Sequence, residues 1–205
     1  MISIKELLLE GYGALCCCVL PALFFLLRRT ERGGRGRALL FLLFLGYLAA
    51  VFSITGAGTL YDLLYRDFFL SFNQINPVPF HSPLLSEGYL LNILLFVPFG
   101  LFAVLLWPGR GHAVLTVCWG FLFSLAIECS QLFNNRFTDI DDLSANTLGA
   151  LVGVLLALGL RLLFGRGRHT QARPALAPVL FFAAAFLGRF LLFDELRAAG
   201  LLYGF

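Results

Sequence analysis

At 205 residues, 60% of them hydrophobic and only 13% charged, with a mean hydropathy of +0.87, the chain lies far outside the balance of a water-soluble domain. A net charge of +3 is too small to mark a nucleic-acid binder, and the five cysteines all fall within apolar runs, with neither zinc-type spacing nor a secreted disulfide framework. The composition describes an all-α integral membrane protein, one polytopic domain over residues 1–205, whose apolar runs of roughly 20 residues match the length a helix needs to cross the hydrocarbon.

Six spans are predicted, at 7–27, 38–58, 88–107, 113–133, 143–164 and 174–193, or five if the first does not fully cross. The first run opens on Glu6 and Glu10 instead of a basic stretch and has no small-residue cleavage site, which predicts a retained span. Between the spans the charges separate. Arg28, Arg29, Arg32, Arg35, Arg37, Arg110, Arg161, Arg166, Arg168 and Arg173 lie at alternate connections with a single acid, Glu31. The other ends carry Lys5, Arg66, Arg136, Arg189, Arg197 and the remaining acids. The positive-inside rule therefore predicts arginine-rich loops 28–37 and 165–173 in the cytoplasm and both termini outside, in a bacterial plasma membrane.

The second connection, 59–87, is too long for a turn. Tyr61, Leu64, Tyr65, Phe68, Phe69 and Phe72 recur at helical spacing beside Asp62, Arg66 and Asp67, predicting a short interfacial amphipathic helix. Asn76-Pro77-Val78-Pro79-Phe80 then forbids a regular helix and favours an extended turn. In the third span, Asn92 precedes Phe96, Pro98 and Gly100. The proline predicts a kink and the glycine a close helix approach.

On the fourth span Ser124, Glu128 and Gln131 fall within a sector of about 60°, and Glu128 sits roughly 8 Å below the outer edge at 1.5 Å per residue. A carboxylate there costs a few kcal/mol, met either by retaining its proton or by a polar cavity with a cation, an arginine or a metal. In the fifth span Asp139, Asp142, Asn146, Gly149 and Gly153 share a stripe about 80° wide, polar at the mouth and small below, while Asp141 points elsewhere. Thr138 or Asp139 is placed to cap the helix. These groups, with Asn92, lie at one depth, so the candidate ligand-binding residues are Asn92, Glu128, Gln131, Arg136, Asp139, Asp142 and Asn146 around an outward-facing acidic pocket. Arg136 or Arg189 is the expected counter-charge.

The pieces N-x-x-P-F (Asn76, Pro79, Phe80), N-x-x-x-F-x-P-x-G (Asn92, Phe96, Pro98, Gly100), E-x-x-Q (Glu128, Gln131) and R-x-x-D-x-x-D-x-x-x-N-x-x-G (Arg136, Asp139, Asp142, Asn146, Gly149) stand in one order. Together they resemble the VanZ-like family of bacterial membrane proteins, named for an accessory protein of glycopeptide-resistance clusters linked to teicoplanin resistance. The resembling region covers about residues 40–165, with the motifs in 76–153. The resemblance implies an envelope protein with a shared polar site and supplies no reaction.

Three functions are compatible with these residues. One is a non-catalytic protein binding a polar headgroup, a lipid-linked wall precursor or a glycopeptide among the membrane lipids. A second is an enzyme on lipid-linked envelope substrates, with Glu128 or Asp142 as general base, or with Glu128, Asp139 and Asp142 holding a divalent cation such as magnesium. The scattered His81, His112 and His169 argue against zinc. A third is proton- or ion-coupled transport through Glu128, which the lack of a matching polar group in the cytoplasmic half disfavours.

Overall fold

The computed structural model describes residues 4–27, 35–65, 74–79, 86–109, 112–164 and 176–204. It is helical almost throughout: α1 (Ile4–Leu27), α2 (Arg35–Thr55), α3 (Leu60–Tyr65), α4 (Glu87–Leu106), α5 (His112–Gln131), α6 (Ile140–Phe164), α7 (Leu176–Leu192) and α8 (Glu195–Tyr203). Two short strands, β1 (Ile75–Asn76) and β2 (Thr138–Asp139), pair in parallel. By length and composition α1, α2, α4, α5 and α6 suffice to cross a membrane, and α7 is a shorter apolar helix of 17 described residues. The all-α polytopic membrane architecture is thus as expected. The first run forms one helix, α1, of 24 residues, long enough by length and composition to cross.

Local chemistry sets several boundaries. The Ser86 hydroxyl accepts from the Tyr89 amide at the start of α4, and Trp107-Pro108-Gly109 ends it. The last carbonyls of α4 have no partner within the helix. Arg37 of α2 donates to the Leu106 carbonyl at 3.0 Å, and Arg161 of α6 donates to that of Val104. Two basic residues therefore close the arginine-rich end of the bundle. Pro98 removes one hydrogen bond within α4, and the Tyr47 hydroxyl of α2 donates to the neighbouring Leu95 carbonyl at 2.7 Å.

α3 opens with a capping box: Thr59 donates from its amide and hydroxyl to Asp62, whose own amide donates back to the Thr59 hydroxyl. Only the first turns of the expected interfacial helix are described. The rest of it, from Arg66, lies outside the described residues, as do Phe80, His81 and the loop arginines 28, 29, 32, 110, 166, 168 and 173. Asp62 is buried, so this start of the helix is packed into the protein. The C-terminal helix α8 was not anticipated. Asp194 caps it, and the Tyr12 hydroxyl of α1 bridges its start to α7, donating to the Leu192 carbonyl at 2.7 Å and accepting from the Asp194 amide at 3.4 Å.

An aromatic core holds the bundle together. Phe44 and Phe52 of α2, Phe96 and Phe99 of α4, Phe123 of α5 and Phe182 of α7 are buried, with the Phe99 and Phe182 rings 4.8 Å apart. The tightest packing is between α4 and α6, which start at the same end and so run parallel. A methyl on Gly149 would strike the Ile93 carbonyl, one on Gly153 that of Val97, and one on Gly100 that of Ala150. Small residues let these backbones touch where lipid supplies no hydrophobic drive between helices.

Candidate functional site

The polar residues gather where α4 and α6 begin and α5 ends. A short 3-10 turn, Leu132–Asn134, follows α5, and Asn135 reverses the chain with φ 59°, a left-handed conformation that asparagine tolerates. The chain then pairs as β2 with β1, so the Asn-Pro turn expected at residue 76 is extended and anchored. This pairing brings Asn76 to Asp139, the amide donating to the carboxylate at 3.1 Å. Asp139 also caps α6, accepting from the Asp141 amide at 2.9 Å.

Glu128 is buried at 3% exposure, and its carboxylate accepts from the Asp139 amide at 3.3 Å. From the residue before Asp139, the Thr138 hydroxyl donates to the Glu128 carbonyl at 2.9 Å. Asn92 of α4 donates to the Asp142 carboxylate of α6. Arg136 is within electrostatic reach of both Glu128 and Asp142. Glu128, Asp139 and Asp142 with the amides Asn76 and Asn92 thus form one acidic network across three helices and the strand pair.

Other expected members are placed differently. Asn146 lies deeper, donating to the Ser124 hydroxyl at 2.9 Å, with its own carbonyl oxygen buried and unpartnered among the described residues. Gln131 turns away from Glu128 and donates to the Thr55 carbonyl at the end of α2, at 2.6 Å. The sector shared by Ser124, Glu128 and Gln131 is wide enough to meet two neighbours, α6 below and α2 above. Arg136 reaches over Gly56, where its guanidinium fills the space a side chain would need, and φ is +61°. Arg189 lies away from the acidic network, buried on α7 with its guanidinium 3.4 Å from the Phe193 ring centroid. Among the described residues no group of three His, Cys, Asp or Glu side chains is arranged to hold a metal ion.

Sequence reasoning left Asn76 out of the site, although its motif marked it. Reading it as a turn residue missed the strand pairing that delivers it to Asp139. Helical angles alone place Asp141 outside the stripe, yet it is buried at 3% exposure in the first turn of α6. Glu10, Ser53, Asp62, Asn134 and Glu195 were not grouped, and the fold collects them with Arg136 and Arg189 around a polar cavity.

These features define a multi-pass helical membrane protein with an acidic network at one end and arginine-capped carbonyls at the other. The VanZ/LLP1 family model matches residues 38–164, more than half of the chain, and the chain belongs to that family. The match takes in α2 through α6 and therefore every residue of the acidic network. No curated protein and no solved structure matches the chain.

Proposed function

We propose that this VanZ-like protein of the bacterial cell envelope binds a polar ligand at the acidic end of its bundle, without transforming it. The ligand is the hydroxyl- or amine-bearing headgroup of a lipid-linked wall precursor, or a glycopeptide, which would connect the protein to glycopeptide resistance of the teicoplanin type. The observation that carries this reading is the acceptor surplus of the network. A carboxylate offers about four acceptor positions, whereas among the described residues the Glu128 carboxylate takes one bond, from the Asp139 amide, and that of Asp142 one, from Asn92. Such a surplus suits ligands rich in O–H and N–H groups. The arginine excess at the opposite connections supports an outward orientation, where wall precursors and glycopeptides are met.

The test is binding of lipid-linked wall precursor and of teicoplanin to the purified full chain and to Glu128→Gln. Glutamine keeps the shape and the acceptor for the Asp139 amide while removing the charge. Affinity for one of the ligands should fall about tenfold or more, with the unfolding temperature held. Unchanged affinity for both would sink the reading.

A further inference from the structure

A polar cavity of about 290 Å³ lies beside the acidic network, lined by Glu10 of α1, Asp62 of α3, Asn134 and Arg136 of the turn, Arg189 of α7 and Glu195 of α8. Arg189 is 8% exposed, and its Nη1 has no hydrogen-bond partner among the described residues. Asn134 donates to the Gly56 carbonyl at 2.9 Å, but its own Oδ1 is buried and likewise unpartnered. Two residues lining this cavity thus carry a buried cationic donor and a buried acceptor, each lacking among the described residues the hydrogen bond that a buried polar group requires.

Deeper in the bundle an apolar groove of about 300 Å³ runs between α5 and α7, lined by Trp119, Ala126, Val179, Phe182, Ala183 and Phe186. Along α7, Val179, Phe182, Ala183, Phe186 and Arg189 follow helical spacing and share a stripe about 120° wide. Arg189 lies about 4.5 Å beyond Phe186 along the axis. The same face of α7 is therefore greasy at depth and cationic at its end, the polarity of a lipid molecule.

We infer that this face of α7 is a binding site for a membrane phospholipid whose headgroup carries both a phosphate and an N–H donor. The phosphate meets the Arg189 guanidinium, and the ammonium meets Asn134 Oδ1 and the Glu10 and Glu195 carboxylates, while an acyl chain follows the groove. Arginine suits phosphate because its planar donors match the oxygens. The mixed lining of two arginines and three carboxylates fits a zwitterion. A volume at the lower end for ligand sites suits one small headgroup. A trimethylated ammonium has the charge but no N–H, and so leaves Asn134 unsatisfied. The site goes beyond the acidic network and shares only Arg136 with it.

The experiment uses the full chain, purified, stripped of lipid and examined by native mass spectrometry with phosphatidylethanolamine, phosphatidylcholine or soluble glycerophosphoethanolamine. Phosphatidylethanolamine should bind about tenfold or more tightly than either of the others. Arg189→Gln should remove that preference. Ala183→Phe, which fills the exposed groove and leaves the cavity intact, should weaken lipid binding and carries the test if the buried arginine variant fails to fold. Equal binding of the two lipids, or a preference surviving both substitutions, overturns the proposal and leaves the cavity to water. Tight binding of the soluble compound also overturns it, assigning the cavity to a free phosphate ester. Glu128→Gln reads the wall-precursor site and Arg189→Gln reads this one, so a failure of either is distinguishable.

Discussion

The side-chain amide of Asn92, on α4, is bonded to the carboxylate of Asp142, on α6, across a sequence separation of 50 residues. Asn76 and Asp139 repeat the arrangement across 63 residues. In both pairs a neutral amide supplies the donor that holds the acid in place. One amide N–H occupies one of the roughly four acceptor positions of an acid and leaves the others for further donors.

A double-mutant cycle tests whether the Asn92–Asp142 bond is energetically real. Asn92→Ala and Asp142→Ala, singly and together, should show a coupling of about 1–3 kcal/mol in unfolding of the purified protein. A coupling below about 0.5 kcal/mol, the usual limit of additivity, would mean that the two side chains are neighbours without consequence.

The close approach of α4 and α6 makes a second prediction. Gly153→Val places side-chain atoms against the Val97 carbonyl and should cost about 1–3 kcal/mol or more, as overpacking does. Gly159, on the same helix, has nothing within 4 Å of an added methyl. Gly159→Ala should leave the unfolding temperature equal or raise it, since alanine is the better helix former by about 1 kcal/mol. Equal losses at both positions would refute the packing.

Orientation is open to direct chemical test. In a background with the native cysteines replaced by alanine, a cysteine at position 135 should react with a membrane-impermeant thiol reagent on intact cells. One at position 168 should react only after lysis. The reverse pattern would turn the acidic end towards the cytoplasm and remove the wall-facing ligands from consideration.

Much of this was legible in the chain itself because the bilayer restricts the alternatives. With every backbone group needing an internal partner, long apolar runs become helices, and the spans read from the sequence lie within a few residues of α2, α4, α5 and α6. The helical stripe on α6 also carried over: Gly149 and Gly153 meet another helix, as small residues at that spacing should. Glu128, Asp139 and Asp142 stood out since acids in such a chain have few bland explanations.

Periodicity names the face of a helix but not the neighbour that the face meets. Nothing in the spacing of Glu128 and Gln131 says that one bonds the start of α6 and the other the end of α2, because that depends on where three helices stand around α5. The pairing of Ile75–Asn76 with Thr138–Asp139 joins segments far apart in the chain, and local propensity carries no record of it. The cavity around Arg189 draws on α1, α3, α7, α8 and the turn after α5, so no local window contains it. The sequence by itself determined that the chain is a helical membrane protein with an acidic end, since hydrophobicity and charge are local properties summed along it. Only the tertiary structure decided which amide holds which acid, and that Arg189 serves a cavity of its own, because contacts depend on distances that helical phase alone does not set.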